Sequence, residues 1–559
     1  MKKITLFNLC IFLMALFALS TLQAQNHART IDQYLTKANQ EGFSGVALVA
    51  HKGKIIFSQG YGFANREKRL AFDPNSVFDI GSITKQFTGA AIMKLEMEGK
   101  LKTSDVLTKY LPNLPAHMHK ITLHHLLTHS AGLPGGIGPD EEVLGKEAYL
   151  KRLFTKKLSD SFGSFAYSNV GYSLLAMVIE QASGMEYEQF LHKKIFAPAG
   201  MTQTGYRLPT WSTKNIVVGY RNGNRWGSTH LKSHYNQGVT YHLKGNGGIM
   251  STVLDLHKWY KAIKNNTVLS KEATQKYIAK HIKDGGGHYG YGWGTEPKPG
   301  REIVWHNGGN GFFNAFMGYY LAKDLVIIVA TNYGKSADPY AHPIDRIMHG
   351  EFKTMNEKLA KRYQGAYRLP SGEKFKVRFN ANSQLEVPIH QAALYQLFSG
   401  SIADKASVAA TYNQKISVLG NTLLKHNYAQ YAKIEHQYML EGSEAAIASQ
   451  IKRSLERREK RLGKIKAVEV LGSVARQKGK YYLSAARFAF AKGNNYVFYT
   501  WKGNRLIGVR VLNEAGMTKK FDYQGKHAFF AESNQLKIQL TTQQGKPAIR
   551  VGDKVLVKE

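Results

Sequence analysis

Two widely separated apolar hairpins restrict the fold of this chain more than any other feature. The first pairs Gly45–Ala50 with Lys54–Gly60, and the second pairs Asn314–Leu321 with Leu325–Thr331. The residues between the hairpins show helical patterns, such as Gln86–Glu98. Because an apolar sheet face has to be covered, this order predicts an α/β fold of the α+β kind, in which both ends of the segment build one antiparallel sheet around a helical insertion.

The basic charge of the chain is concentrated in its last third. The whole sequence has 76 Lys or Arg and 40 Asp or Glu, a net charge of +36, and residues 351–559 supply 36 of the basic and 16 of the acidic residues. We therefore place a domain boundary near residue 350, with a first domain over 25–350. Strand patterns over 363–385 and 468–557, with a helical insertion around 402–461, predict a β-rich C-terminal domain over 351–559.

The first 24 residues have the pattern of a signal peptide. Lys2 and Lys3 form a basic start, Ile4–Leu19 is mostly apolar, and a small residue, Ala24, precedes the expected cleavage site. The apolar run is short for a membrane span, although an uncleaved N-terminal anchor is the alternative. We expect an exported protein that is periplasmic or associated with the cell envelope.

The composition excludes several classes of protein. Hydrophobic residues make up 43% of the chain and charged residues 21%, which excludes a disordered or fibrous chain. The one cysteine, Cys10, excludes a disulfide-stapled scaffold or a Cys-rich zinc module. His125 and His129 have helical i, i+4 spacing, but no Glu completes an H-E-x-x-H pattern. The sequence therefore predicts no metal site and no cofactor.

The segment Gly81–Lys85 brings a candidate nucleophile near a candidate base. If Ser82 begins a helix, Lys85 lies on the same helix face. A buried lysine that is shifted toward its neutral form can accept the serine proton. The helix start also leaves the backbone N–H of Ser82 free as one oxyanion donor. An N-cap serine followed by a surface lysine is the simpler interpretation when this segment is taken alone.

The segment Tyr167–Asn169 comes just before an apolar helical pattern, Tyr172–Ser183. A loop that enters a helix can direct a phenol and an amide into a cleft, and a tyrosine beside a lysine can transfer protons. A helix cap preceded by a packed tyrosine explains the segment equally well by itself.

The segment Trp305–Phe312 follows a predicted strand and is rich in glycine. Glycine allows a backbone N–H to approach a ligand closely, so this strand can supply a second oxyanion donor. A glycine-rich hairpin turn is the structural alternative.

Taken together, and with their flanking sequences, these segments resemble the serine β-lactamase and penicillin-binding-protein superfamily, most of all class C β-lactamases, D,D-carboxypeptidases, D-aminopeptidases and family VIII esterases. The resemblance covers about Ile31 to Ile347. Further segments typical of the family are Ile121–Pro134, Phe196–Met201, Gly245–Ile249 and Tyr291–Gly294. The family fold, an α/β sheet plus an all-helical lobe, agrees with the strand order.

The resemblance implies a role for each matching residue. Ser82 would be the acylated nucleophile, Lys85 its partner, and Tyr167 would share the acid and base roles. Asn169 would hold the substrate amide. The remaining substrate and oxyanion positions would be His306, Gly308 and Gly309, with the N–H groups of Ser82 and Gly309 forming the oxyanion hole.

His306 departs from the family pattern, which usually has lysine at this position. A histidine is mostly neutral at pH 7, so a substrate carboxylate loses a fixed cationic partner. We therefore expect an exported serine hydrolase acting on ester or amide bonds, of esterase or D-amino acid peptidase type, in preference to an efficient β-lactamase.

Two other functions remain open. The first is a catalytically inert penicillin-binding-like protein that serves as an envelope binding or sensor protein. The second is an adhesin that binds anionic glycan through its basic C-terminal domain. The expected partners are a small-molecule or peptide substrate and, through the C-terminal domain, anionic envelope polymers. Nucleic acid is not expected, because the basic run Lys452–Arg461 is typical of a solvated helix face.

Overall fold

The computed structural model describes residues 23–559 except 160, 237, 299–300, 400–405, 438–442, 477–479 and 532–535. The expected signal peptide lies almost wholly outside the described residues. The chain divides into two compact units, Met1–Phe352 and Lys353–Glu559. No helix among the described residues has the length and apolar character needed to cross a membrane.

The first unit alternates short strands with helices. Its strands are β1 Gly45–His51, β2 Lys54–Tyr61, β3 Phe63–Asn65, β4 Leu70–Ala71, β5 Phe78–Asp79, β6 Gly219–Arg221, β7 Asn224–Gly227, β8 Met250–Ser251, β9 Ile282–Lys283, β10 His288–Tyr289, β11 Gly294–Lys298, β12 Arg301–Gly309, β13 Asn314–Tyr320 and β14 Leu325–Thr331. Its helices are α1 23–40, α2 Thr84–Met97, α3 Leu123–Leu127, α4 Lys146–Phe154, α5 Asn169–Ser183, α6 Tyr187–Leu191, α7 Ser233–Asn236, α8 Val253–Lys264, α9 Lys271–Ile278 and α10 Asp338–Met348.

The main sheet of this unit joins the two ends of its sequence. Among the described strands its order is β2-β1-β14-β13-β12-β11-β10-β9, and each neighbouring pair is antiparallel. Ala47 in β1 pairs with Val329 in β14, and both are buried. Both predicted hairpins therefore lie side by side in one sheet, with β2 at its edge, which confirms the fold prediction. Strand β12, which carries His306, is an interior strand.

Helix α2 is the central helix of the unit. It packs against α5 and α9, whereas α8 covers the strands β1 and β14 and α10 covers β14 and β13. Nearly all residues of α2 are buried, including the polar residues Lys85, Gln86 and Thr88. A helix that is buried on all sides holds its side chains in fixed positions. The nucleophile segment thus precedes a largely buried helix.

The second unit contains two sheets and a helical layer. Its strands are β15 Gly365–Arg368, β16 Lys374–Phe379, β17 Gln384–Pro388, β18 Ile465–Arg476, β19 Tyr481–Phe490, β20 Gly493–Lys502, β21 Arg505–Leu512, β22 Thr518–Gly525, β23 Ala528–Ala531, β24 Leu536–Gln543, β25 Lys546–Val551 and β26 Lys554–Val557. Its helices are α11 Glu357–Tyr363, α12 Ala392–Ser399, α13 Ala406–Leu424, α14 Tyr428–His436 and α15 Glu444–Leu462.

The larger sheet of the second unit nearly closes into a barrel. Its order is β15-β16-β17-β22-β23-β24-β25-β26 among the described strands. A bridge between Tyr367 and Lys558 joins the first strand to the end of the last. The segment between β17 and β22 is the insertion, and it holds helices α12 to α15 together with a separate sheet, β18-β19-β20-β21.

This insertion is larger than the 402–461 that the sequence predicts. Strand alternation identified the strands after residue 468, but it could not tell which of two sheets each strand joins, because alternation reports only that one face of a strand is buried.

Candidate active site

Ser82 lies in the short connection between strand β5 and helix α2. Residues Gly81–Ile83 form a single 3-10 turn, and α2 begins at Thr84. Lys85 is therefore in the first turn of α2, and its Nζ lies 3.1 Å from Ser82 Oγ. The expected proximity of serine and lysine is present, although Ser82 precedes the α-helix instead of beginning it.

The Lys85 amine has three polar partners. Besides Ser82 Oγ, its Nζ lies 2.7 Å from Asn169 Oδ1 and 2.7 Å from the backbone oxygen of Asn246. Both oxygens can only accept hydrogen bonds. When the amine is neutral, its two N–H donors can serve these two oxygens, and its lone pair is then left for the Ser82 hydroxyl 3.1 Å away. This geometry fits a lysine that accepts the serine proton.

Burial favours this neutral form. The Lys85 side chain is 0% exposed, and desolvation holds its pKa well below the ordinary value of 10.5. The Asp140 carboxylate acts in the opposite direction with a smaller effect. Among the described residues no carboxylate forms an ion pair with Lys85. The lysine is therefore suited to act as a base well below pH 10.5.

Two segments far from Lys85 in sequence hold its partners in place. Asn169 is the first residue of α5, and the Ser168 side chain caps this helix by accepting the N–H of Gly171. The Asn246 side chain donates to Ser173 Oγ at 2.9 Å and to the backbone oxygen of His242 at 2.8 Å. These bonds fix both acceptor oxygens before any substrate binds.

Tyr167 covers the Lys85 amine on its open side. The ammonium position lies 4.8 Å from the centre of the Tyr167 ring. The ring is 40% exposed, whereas its hydroxyl interacts with Ser82. Desolvation raises the pKa of Tyr167 above its ordinary value of 10.0, and the contact with Ser82 offsets this only in part. The phenol is therefore protonated at neutral pH and is suited to donate a proton.

The two candidate oxyanion donors lie where the strand β12 approaches the nucleophile turn. A Cβ placed on Gly308 would lie 1.9 Å from the Ile80 oxygen and 2.6 Å from the Ser82 nitrogen. A Cβ on Gly81, whose φ is +52°, would lie 2.3 Å from the Gly309 nitrogen. Only glycine permits this approach. This close approach brings the backbone nitrogens of Ser82 and Gly309 near each other, as an oxyanion hole requires.

Asp79 connects the two sides of this hole. Its Oδ1 accepts the Gly81 N–H at 2.8 Å, and its Oδ2 accepts from Asn310 Nδ2 at 2.9 Å and from Thr229 Oγ1 at 3.0 Å. Burial raises the pKa of Asp79 to about 6, and these three donors oppose the rise. The carboxylate is ionised at neutral pH and fixes the nucleophile turn to the end of β12.

His306 lies beside Tyr167 with both ring nitrogens bound inside the protein. Its Nδ1 lies 2.5 Å from the Asn307 oxygen, and its Nε2 lies 2.9 Å from the Tyr289 hydroxyl. The first contact requires an N–H on Nδ1, so Nε2 accepts the Tyr289 proton. Desolvation and the nearby Lys85 lower the pKa of His306 to about 3. The imidazole is therefore neutral at pH 7.

The three histidines of the segment that resembles the family have separate structural roles. His124 Nδ1 lies 2.9 Å from the Tyr291 hydroxyl, and His125 completes a capping box with Thr122. His129 Nδ1 accepts the Ser168 N–H at 3.0 Å, and its ring lies 4.2 Å from the Tyr167 ring. In the part of the chain that the structure describes, no group of three or more His, Cys, Asp or Glu side chains is placed to hold a metal ion.

The seven site residues named from the sequence lie together. They are Ser82, Lys85, Tyr167, Asn169, His306, Gly308 and Gly309. Sequence reasoning missed Asp79, Asn246 and Tyr289. Asp79 and Asn246 lie within segments that resemble the family, so the resemblance could have identified them. Nothing in the sequence around Tyr289 indicated that its hydroxyl would bind His306.

Comparisons with known proteins agree with this geometry. Residues 27–350 match the family model described as Beta-lactamase. Penicillin-binding protein 4* of Bacillus subtilis (strain 168) is 27% identical over 415 residues, which cover 67% of this chain and 90% of that protein. Protein flp of Staphylococcus aureus (strain COL) is 27% identical over 335 residues, which cover 57% of this chain and 65% of that protein.

Two solved structures show the same fold. The octameric penicillin-binding protein homologue from Pyrococcus abyssi has a TM-score of 0.54 and 20% identity, over 95% of this chain and 99% of that chain. FmtA from Staphylococcus aureus has a TM-score of 0.51 and 23% identity, over 59% of this chain and 91% of that chain. Since the family model spans more than half of the sequence, the chain belongs to the Beta-lactamase family, within the superfamily of serine β-lactamases and penicillin-binding proteins.

Proposed function

We propose that this protein is a serine hydrolase that cleaves ester or amide bonds through an acyl-enzyme on Ser82. The observation that carries the proposal is the environment of the Lys85 amine, which is fully buried and lies 3.1 Å from Ser82 Oγ and 2.7 Å from each of two fixed oxygens. Burial lowers its pKa well below 10.5 and so favours the neutral amine, which can accept the Ser82 proton.

The reaction follows from the placement of these groups. Lys85 accepts the Ser82 proton while Oγ attacks the substrate carbonyl carbon, and the negative oxygen that forms lies between the N–H groups of Ser82 and Gly309. The carbonyl re-forms as the leaving group departs with a proton from the Tyr167 hydroxyl. The protonated Lys85 then returns a proton to Tyr167 and becomes neutral again. Water then attacks the acyl-enzyme with the same base, which releases the acid and restores Ser82.

The neutral His306 favours esters and D-amino acid amides over β-lactams. A β-lactam presents a carboxylate next to its ring, and a lysine at this position would bind it through a charge-assisted hydrogen bond. Such a bond contributes about 1.5 to 3 kcal/mol. Its loss lowers kcat/KM for carboxylate substrates by about ten- to a hundredfold.

The competing proposal is an inert binding or sensor protein that retains the fold. Intact-mass analysis separates the two, with fluorophosphonate, benzylpenicillin, p-nitrophenyl butyrate and D-Ala p-nitroanilide as reagents. We expect an adduct on Ser82, turnover of the butyrate ester faster than nitrocefin, and at least about a thousandfold loss of turnover in Ser82→Ala. Full turnover in a folded Ser82→Ala protein would exclude this mechanism, and the absence of any adduct would favour the inert protein.

His306→Lys tests the preference among substrates. It should raise the ratio of kcat/KM for nitrocefin to that for p-nitrophenyl butyrate by about ten- to a hundredfold. A wild-type protein that already hydrolyses nitrocefin faster than the butyrate ester would refute the role given to His306.

We further propose that the protein acts outside the cytoplasm, in the periplasm or at the cell envelope. The support is the signal-peptide pattern of the first 24 residues. Mass spectrometry of the protein recovered from its native cells should find a mature chain that starts at Gln25. A full-length chain in the cytosolic fraction would contradict this proposal.

A further inference from the structure

A small aromatic pocket opens at Tyr167 and His306, two of the candidate site residues. Its volume is about 180 Å³. Its lining residues include the aromatic residues Phe165, Tyr167, Tyr289 and Trp305, together with Asp284 and His306. The Phe165 and Tyr289 rings lie 5.5 Å apart, and the Tyr289 and His306 rings lie 5.9 Å apart. The pocket can hold one small substituent of a substrate.

The charge of this aromatic pocket is negative. Asp284 Oδ1 accepts the Gly287 N–H at 2.9 Å in the turn between β9 and β10, and its carboxylate forms no ion pair with any described residue. Neither lysine nor arginine lines the described walls, and the neighbouring Lys283 is exposed to solvent. His306 carries no charge here, because burial lowers its pKa to about 3.

Aromatic faces around a carboxylate are a recognition site for an organic cation. The face of an aromatic ring carries partial negative charge and attracts an ammonium group that lies against it. A carboxylate adds direct attraction for the same group and repels an anion. The pocket therefore favours a positively charged substituent. A lysine in place of His306 would instead favour a negatively charged carboxylate.

We propose that the aromatic pocket binds an organic ammonium group carried by the substrate close to its scissile ester or amide bond. The inference rests on the proposed hydrolase function, since the pocket would serve the same Ser82. Asp284 would supply the charge, and Phe165, Tyr289 and Trp305 would supply the aromatic surfaces.

Matched substrates that differ only in charge test the proposal on the full-length protein. Acetylthiocholine is compared with S-(3,3-dimethylbutyl) thioacetate, its neutral isostere, to place the cation on the leaving group. D-Ala p-nitroanilide is compared with isobutyryl p-nitroanilide, its neutral isostere, to place the cation on the acyl group. We expect kcat/KM to favour the ammonium member of at least one pair by about tenfold. Equal rates within both pairs would overturn the proposal.

Asp284→Asn removes the charge but retains an oxygen that can accept the Gly287 N–H. It should lower the preference for the ammonium substrate about tenfold, and Trp305→Leu should lower it as well. The matched control is Asp73→Asn, because Asp73 Oδ1 also accepts a backbone N–H in a turn, at 2.7 Å. This control should leave the preference unchanged. A preference that survives Asp284→Asn would show that the carboxylate does not bind the cation.

Binding without turnover separates this inference from the proposed function. Tetramethylammonium is titrated into full-length Ser82→Ala protein while tryptophan fluorescence is followed. Saturable quenching that disappears in the Ser82→Ala, Trp305→Leu double variant supports the pocket even if no substrate is hydrolysed. If turnover is found but neither quenching nor an ammonium preference is seen, the pocket proposal is wrong and the hydrolase proposal stands.

Discussion

Asp79 Oδ2 lies 2.9 Å from Asn310 Nδ2, although the two residues are 231 positions apart in the chain. This hydrogen bond joins the turn that carries Ser82 to the turn that follows Gly309. Asn310 Oδ1 in turn accepts the N–H groups of Phe312 and Phe313 at 3.0 and 2.9 Å. The pair therefore sets the position of the nucleophile relative to the second oxyanion donor.

Asn310→Ala should impair the chemical step more than substrate binding. Without its side chain the Gly309 N–H is no longer held against Ser82, so we expect kcat to fall about ten- to a hundredfold while KM changes much less. The midpoint that belongs to Lys85 should be unchanged, because Asn310 does not contact Lys85, whereas the pKa of Asp79 should rise with the loss of one donor. The exposed strand residue Asn224 supplies the control, Asn224→Ala. A shifted Lys85 midpoint in Asn310→Ala would contradict a positioning role.

The low pKa of Lys85 predicts the pH profile of acylation. Only the neutral amine accepts the Ser82 proton, so the rate rises as pH rises through the pKa of Lys85 and then levels off. Because burial lowers this pKa well below 10.5, the plateau should be reached well below pH 10.5. Single-turnover acylation above pH 7, where Asp79 is ionised, measures the midpoint.

Two variants identify the group that titrates. Lys85→Arg should abolish acylation at every pH, since arginine stays charged. Tyr167→Phe should lower the rate without moving the midpoint, because the raised pKa of Tyr167 keeps the phenol protonated. If the midpoint moves in Tyr167→Phe, the phenol and not the amine is the base.

Two adjacent glycines provide a matched test of the close approach between β12 and the nucleophile turn. A Cβ on Gly308 would meet backbone atoms at 1.9 and 2.6 Å, whereas a Cβ on Gly309 would meet the Asn314 side chain, with Oδ1 at 2.4 Å. A side chain can move and the backbone cannot, so Gly308→Ala should lower kcat/KM more than about a hundredfold and Gly309→Ala much less. Thermal unfolding of both variants shows whether the fold is retained. Equal losses would count against the close approach as the cause.

The basic second unit should tether the enzyme to anionic envelope material. This proposal rests on its charge, +20 over residues 351–559, and such attraction is screened within about 8 Å at physiological ionic strength. A chain ending at Gly350 should keep its kcat/KM for p-nitrophenyl butyrate and lose salt-sensitive binding to envelope fractions. Loss of turnover, or equal binding of the long and short chains, would refute the tether.

Much of the first unit could be predicted from the sequence because its signals are local. Apolar runs on either side of short turns predict β1, β2, β13 and β14. Because both hairpins have apolar faces that must be covered and helical patterns lie between them, the sequence predicts one sheet that both hairpins share. The spacing of Ser82 and Lys85 within one turn also predicts their contact. The Asn246 contact could not be predicted in this way, since any residue offers a backbone oxygen and only the path of the chain decides which one reaches Lys85.

The charge state of His306 could be predicted only in part from the sequence. Its residue type predicts a mostly neutral ring, but its burial and its contacts with Tyr289 on β10 and the Asn307 backbone come from distant parts of the fold. The same holds for the second unit, because the sequence patterns of strands β18 to β21 do not differ from those of the barrel strands. Which strand pairs with which depends on contacts between distant residues.

The separation between the two halves of the oxyanion hole has a consequence for biosynthesis. A ribosome that adds about 5 to 20 residues per second needs roughly 10 to 50 seconds to pass from Asp79 to Asn310. Over that interval β1 and β2 have been made but β14 has not, so β1 lacks its neighbour on the other side. The nascent chain can therefore carry the serine and the lysine without catalytic power, and appearance of activity during translation or refolding marks the moment at which the central sheet closes.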